Sequence, residues 1–338
     1  MRAFQTGAAK HSSKQAGEGC AGQKCSGTKM AGGKWIGRVR EWAGYRALAC
    51  VARAGVFLRG PLGDALGPRL GDAARILSPH YRHLILANMR TAFRREKSEG
   101  EIQALMRSFY RHMGQVVVGF ARGQHLSDEQ IKRLVLVQGV EHLDRALSTG
   151  KGAIIVSAHM GCWEVAVRRV VLEGYRINGI VRTQADAALA GALDRSRSSA
   201  RLRVIPKSGA VAAAVERLAR NECVIFVVDE NAGSRGVFAP FFGKLASTAA
   251  GPMVAAARSG APILPAFAFV KPDGGHGIEI LPSLDLRFSD DFQEDLMRNT
   301  TLVNRAIEDA IRRHPEQWLW ALKRWRTRPP GETAAGGQ

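Results

Sequence analysis

The sequence lacks any run of about 18 uncharged apolar residues, the minimum for a helix that crosses a bilayer. The nearest approach, Trp42 to Leu58 ("WAGYRALACVARAGVFL"), is interrupted by Arg46 and Arg53. Lying seven apart, these arginines share one helical stripe, which suits a helix resting on a bilayer and equally an ordinary surface helix of a bundle. Cysteine is scarce and odd in number: Cys20, Cys25, Cys50, Cys162 and Cys223. Scattered thiols of this kind argue against a disulfide framework and suit a reducing compartment. No group with metal-ligand spacing and no dinucleotide glycine fingerprint occurs, so neither a metal nor a bound cofactor is expected. The apolar core of a secretory signal is missing, and so is the G-x-S-x-G elbow of an α/β-hydrolase.

Acidic residues are also in deficit: Asp+Glu total 30 against Lys+Arg 49, a net charge of +19. An imbalance this large points to an anionic partner, whether nucleic acid, a membrane surface, a phosphorylated substrate or an acidic carrier protein. A nucleic-acid binder would need a recognisable reading element with cations along it, and none is found. What the chain has in quantity is apolar residues, 46% of 338, enough for a substantial core.

Patterning divides the chain into four parts. Residues 1–34 hold Gly, Ser, Ala and six basic residues against one acidic one, and read as a disordered basic tail. Residues 35–125 are helical in period and are expected to associate with a membrane. Ser78-Pro79 is a helix start there, and "SEGEIQALMRSFYRHMGQVVVGFA" repeats apolar residues at three and four. Ser127 with Gln130 predicts a capping box. From 126 to 330 short β-branched runs alternate with helical stretches: "RLVLVQG", "GAIIVSAH", "RINGIVR", "RLRVIP", "ECVIFVVDE", "APILPAFAFV" and "HGIEILP". This alternation predicts an α/β fold, a mostly parallel or mixed sheet with helices on both faces. Asp290 to Arg313 and "HPEQWLWALKRWRTRP" read as two closing helices, and 331–338 as a loose end.

The chemistry concentrates in "SAHMGCWEVAV", where His159 and Glu164 follow an apolar strand. Positions five apart diverge by about 140° on a helix, so a turn must intervene if the two side chains are to meet. Gly161 supplies it, letting His159 leave the strand end while Glu164 sits in the first turn of the next helix. A carboxylate on one imidazole nitrogen sets the tautomer and makes the other a better base. Backbone N–H groups at the helix start would stabilise developing negative charge. The same spacing also describes a buried histidine satisfied by a neighbouring glutamate. Cys162 offers a thiol nucleophile as a rival, though a Cys between Gly161 and Trp163 fits plain packing and no Asn or Asp orienter accompanies it.

Four blocks in order carry a resemblance: "GVEHLDRALSTGKGAIIVSAHMGCWE", "GIVRTQADAALAGALDRSR", "VVDENAGSRGVFAPFFGKLASTAAGPMVAAARSGAPILPAF" and "HPEQWLWALKRWRTRP". From about Trp35 to Pro330 the chain resembles the bacterial lipid A biosynthesis (late) acyltransferases, within the lysophospholipid acyltransferase superfamily. The resemblance implies a glycerolipid-acyltransferase-like fold. It also implies transfer of a fatty acyl chain from an acyl carrier protein (or coenzyme A) thioester to a hydroxyl of an anionic lipid A precursor, at the cytoplasmic face of the inner membrane. His159 would be the general base and Glu164 its orienting partner. Arg182 would stabilise the oxyanion or hold a phosphate, and Asp229, Arg235, Gly236, Phe241, Phe242 and Gly243 would shape the acceptor and acyl pocket. The chain departs from the family's usual Asn at Cys162 and its usual Gln at Glu230. Other lipid acceptors, such as a lysophospholipid or another glycolipid, and a non-catalytic membrane-binding relative are the alternatives.

Two supporting stretches read two ways. "GVFAPFFG" is either a loop pinned to the core or an apolar wall for an acyl chain. Trp318, Trp320 and Trp325 alternate with Lys323, Arg324, Arg326 and Arg328, which suits a lipid headgroup interface. On the core alternative Trp318 is buried and the arginines are exposed.

Overall fold

The computed structural model describes residues 61–181, 191, 194, 198, 201–271 and 273–332. The basic tail, the Trp42–Leu58 segment, Cys20, Cys25, Cys50, Arg182 and the last six residues lie outside that set. Three helices open the described chain: α1 (Pro61–Leu77), α2 (Pro79–Phe93) and α3 (Glu99–Gly123). Helix α3 starts on a capping box, with Ser98 and Glu101 satisfying each other's orphan N–H groups. α1 and α3 approach at backbone distance. A Cβ on Gly71 would lie 2.1 Å from the Tyr110 carbonyl oxygen, so only glycine fits there. Ser78 does stand at the start of α2, but its hydroxyl donates to the Ala74 carbonyl and pairs with Tyr110 rather than capping the helix. No helix among the described residues is long and apolar enough to cross a membrane.

The seven β-branched runs each supply one strand of a single sheet. They are β1 (Val135–Gln138), β2 (Ala153–Ser157), β3 (Ile177–Val181), β4 (Arg203–Pro206), β5 (Cys223–Val227), β8 (Ile263–Val270) and β9 (His276–Ile280). Spatial order is β1-β9-β8-β2-β5-β3-β4, and every pairing is parallel except β8 with β9. Helices cover both faces, as the alternation predicts, because side chains of period two leave each buried strand with two apolar sides. On one face Ile155, Ile177 and Ala266 meet α4 (Asp128–Leu134), α5 (Val140–Leu147) and α6 (Trp163–Val171). The Ser127/Gln130 capping box opens α4. On the other face Ile154, Val156 and Val224 meet α2, α3, α7 (Ala210–Leu218), α8 (Gly251–Ser259) and α9 (Phe292–Arg313).

Two expectations fail. The segment after α9 is not a helix: His314 leaves helical geometry (φ −137°), and Pro315 cannot accept that continuation. Residues 314–332 run instead as turns against the carboxyl end of the central strand β2, with Leu319 N–H donating to the His159 carbonyl at 2.9 Å. The "GVFAPFFG" stretch is not a loop but half of a hairpin, β6 (Val237–Phe241) and β7 (Lys244–Thr248). Phe242 (φ 52°) and Gly243 (φ 70°) form its two-residue turn. Pro240 disguised the strand, since proline is tolerated only where no ladder N–H is needed.

Buried histidines give the fold an acid limit. Burial pushes His112 on α3 down to about 4, with repulsion from His276 and His314 adding to it. An unfolded imidazole titrates near 6.5, so below that pH the unfolded chain binds a proton that the folded chain refuses, and stability falls. The loss from this residue is roughly 2 kcal/mol at pH 5. Denaturant melts at pH 7.5 and pH 5 are expected to show this loss in the wild type and about that much less of it in His112→Leu.

Candidate active site

Strands β2 and β5 are neighbours in parallel register, Ser157 opposite Val227. Two residues beyond each lie His159 and Asp229, which the register therefore delivers side by side at the strands' carboxyl ends, where ligand sites of open α/β sheets form. His159 Nδ1 lies 2.8 Å from Asp229 Oδ1, and the His159 main-chain N–H donates to Oδ2 at 2.8 Å. Trp318 Nε1 donates to the same Oδ2, also at 2.8 Å. Gly161 turns the chain immediately after. It sits at φ 55°, and a Cβ there would lie 2.8 Å from the Ala268 carbonyl carbon. The turn feeds α6, whose first residue, Trp163, sets its ring edge-on to the imidazole, centroids 5.2 Å apart.

The electrostatics follow from burial. Asp229 is wholly buried, which opposes its charge, but the facing imidazole and the three donated bonds outweigh burial and hold its carboxyl below the usual range. Burial likewise opposes a charged His159. The Asp229 carboxylate, its hydrogen bond and then the charges of Glu230 and Glu164 overcome that and raise the imidazole above its ordinary value. With the Nδ1 proton donated to Asp229, Nε2 is left as the basic nitrogen. The carboxylate bonded to the imidazole nitrogen is thus Asp229, where spacing led to the expectation of Glu164. Glu164 does lie in the first turn of α6 as read, and it acts on the ring as a further negative charge.

His159 is one of the residues lining an apolar cavity beneath α6, with Trp163, Val167 and Val170 from the helix and strand residues including Ile155, Ile225 and Ile278. None of the expected pocket-shaping residues lines it. Arg235 is exposed on a short 3-10 turn (Gly233–Arg235), and Gly236 is fitted against Ser247, whose Oγ would lie 2.2 Å from an added Cβ. Phe241 and Phe242 are buried on the opposite side of the sheet, Phe242 against Phe93 of α2 with its N–H donated to Glu308. Gly243 completes the hairpin turn. Of these residues only Phe241 and Phe242 are core; Arg235 and Gly243 are exposed and Gly236 is half-buried. Cys162 is buried at the start of α6 and burial pushes its thiol up to about 12, which removes the thiolate that nucleophilic attack requires. Among the described residues no group of three or more His, Cys, Asp or Glu is placed to hold a metal ion.

The C-terminal turns complete the site. Trp318, Trp320 and Trp325 are all core residues, Trp318 and Trp325 packed with Phe241 and Trp320 with Trp318 and Phe93. Arg324, expected at the surface, is wholly buried. Its guanidinium donates to the carbonyls of Glu230 and Ser247 and to Thr248 Oγ1 and Asn304 Oδ1, and lies 4.7 Å over the Phe241 ring. Burial lowers its pKa to about 10, with Asp229 opposing, so it stays charged at neutral pH and clamps the chain just after Asp229 to β7. Its position in an alternating Trp/basic string gave no signal of this, because a buried arginine is recognised by carbonyls that come from elsewhere in the chain.

Comparison with known proteins places this geometry. The family model described as "Bacterial lipid A biosynthesis acyltransferase" matches residues 35–327. The chain belongs to that family. The acyltransferase is 26% identical over 272 residues to the lipid A biosynthesis palmitoleoyltransferase of Escherichia coli K12, covering 80% of this chain and 86% of the relative. It is 25% identical over 269 residues to the lauroyltransferase of the same organism, covering 79% and 86%. A phosphatidylinositol mannoside acyltransferase of Mycobacterium tuberculosis is 26% identical over 198 residues, 56% of this chain and 60% of that protein.

Asp229→Asn is expected to lower kcat/KM by roughly 100-fold or more, as loss of an orienting carboxylate does. The acid limb of the pH profile should also move to lower pH, because burial is then opposed only by the weaker influence of the Glu230 and Glu164 charges. Cys162→Ala is expected to retain wild-type turnover in the same assay.

Proposed function

We propose that this acyltransferase moves a fatty acyl chain from an acyl carrier protein thioester, or a coenzyme A thioester, to a hydroxyl of a lipid A precursor at the cytoplasmic face of the inner membrane. The observation that carries this reading is an imidazole bonded to a buried carboxylate and lining an apolar cavity. The acyl chain lies in the cavity and brings its thioester carbonyl to the rim. His159 Nε2 takes the proton of the acceptor hydroxyl as its oxygen attacks that carbonyl. The tetrahedral intermediate then collapses, the carbon–sulfur bond breaks, and the imidazolium returns its proton to the departing thiolate. Asp229 stabilises the imidazolium throughout, and no covalent acyl-enzyme forms. Arg182, which lies outside the described residues, is assigned from the resemblance alone to the oxyanion or to a substrate phosphate. The +19 charge supports anionic partners, since the carrier protein, the phosphorylated acceptor and the leaflet are all anions.

A second reading, transfer to another glycolipid, is favoured by the similarity to a phosphatidylinositol mannoside acyltransferase. The base chemistry is the same for either acceptor. His159→Ala, incubated with acyl carrier thioester and lipid A precursor, is expected to lose on the order of 1,000-fold or more in rate, the scale of general-base loss combined with the orienting effect. Wild-type turnover would overturn the base. Lipid mass spectrometry of a deletion strain is expected to show lipid A lacking one acyl chain, and an intact lipid A beside an altered glycolipid would favour the second acceptor.

A further inference from the structure

We infer that Trp318 is a positioning residue for the catalytic pair, its indole N–H setting the rotation of the Asp229 carboxylate. The inference rests on the reading of His159 as the base. A carboxylate turns easily about its last torsion, so keeping Oδ1 on His159 Nδ1 requires that Oδ2 be pinned. Two donors pin it, the His159 main-chain N–H and Trp318 Nε1. The first belongs to the residue being oriented. Only the second ties the carboxylate to the rest of the molecule.

The indole is itself immobilised. Trp318 is fully buried, edge-on to Trp320 with centroids 4.6 Å apart and to Phe241 at 5.7 Å. Its main chain is sewn to the catalytic turn on both sides: Gly161 N–H donates to the Gln317 carbonyl at 3.3 Å, and Leu319 N–H to the His159 carbonyl at 2.9 Å. The Gln317 side chain brackets Val270 in turn, accepting from its N–H at 2.7 Å and donating to its carbonyl at 2.9 Å. Neighbouring tryptophans give the contrast. Trp320 Nε1 donates to the Pro315 carbonyl and Trp325 Nε1 to the Phe241 carbonyl, both ordinary backbone acceptors. Trp318 alone of the three donates to the carboxylate that holds the base.

The test compares Trp318→Phe with Trp320→Phe in the full-length enzyme, each removing one indole N–H from the same aromatic cluster. Trp318→Phe is expected to lower kcat by roughly 10-fold or more, the scale of one lost charge-assisted hydrogen bond, with KM little changed. Its acid limb should move to lower pH, because a swinging carboxylate raises the imidazole less against the opposing burial. Trp320→Phe is expected to leave the acid limb in place. Equal losses in the two variants with one shared acid limb would overturn the positioning role while leaving the base intact. Loss of the base reading itself would show separately, as wild-type turnover in His159→Ala. Should Trp318→Phe fail to fold, indole-¹⁵N tryptophan spectra of the wild-type enzyme decide. One indole N–H signal is expected to titrate with the pKa of the acid limb, and the absence of any such signal would overturn the inference.

Discussion

A carboxylate sealed from water has to be met by donors on every side, and Asp229 is the place where this fold accepts that demand. Leaving such a group unpaired costs several kcal/mol, so its surroundings are as constrained as any apolar core. The donors come from the turn after β2 and from the chain following α9, segments remote in sequence that the sheet and its C-terminal turns bring to one point. The same bonds that satisfy Asp229 also decide which imidazole nitrogen of His159 is basic. Stability and chemistry are therefore served by one set of contacts, and the rigid surroundings of the pair follow from the electrostatics of a single buried charge.

The two faces of the sheet divide the remaining work. One carries large aromatics, Phe241, Trp318, Trp320 and Trp325, locked around the buried Arg324, whose donated bonds hold the chain just beyond Asp229. Interiors packed in this way transmit position faithfully, because they have no room to relax. The other face, under α6, is lined by smaller aliphatic side chains and holds the cavity that His159 helps to line. Rigidity on one side and space on the other is the division that the proposed base and acyl chain would use.

The comparison with the lipid A family fits this division of labour. Its model matches residues 35–327, which include the strands bearing His159 and Asp229 and the C-terminal turns bearing Trp318 and Arg324. The segment after α9, with neither helix nor strand of its own, is consequently part of the site rather than an appendage to it. Its backbone is held by the turn that carries the base, and its side chains fill the core behind it.

The seven strands of the sheet were legible because a buried strand writes its apolar run locally, and the turn between His159 and α6 because Gly161 is a local device. The helix start at Ser127 was written in a three-residue spacing. By contrast, the partner of His159 depends on which strand lies beside β2 and in what register, a pairing of residues 70 positions apart that no local pattern encodes. Proximity in sequence favoured Glu164, while proximity in space belongs to Asp229. The same reason explains the hairpin hidden by Pro240, the burial of Arg324 and the core placement of the tryptophans, since each depends on what the rest of the chain brings to meet it. The sequence by itself determined the seven strands of the sheet and set a histidine just beyond the end of β2. Only the tertiary structure decided which acid serves it, because a buried charge selects its partners by distance and not by order along the chain.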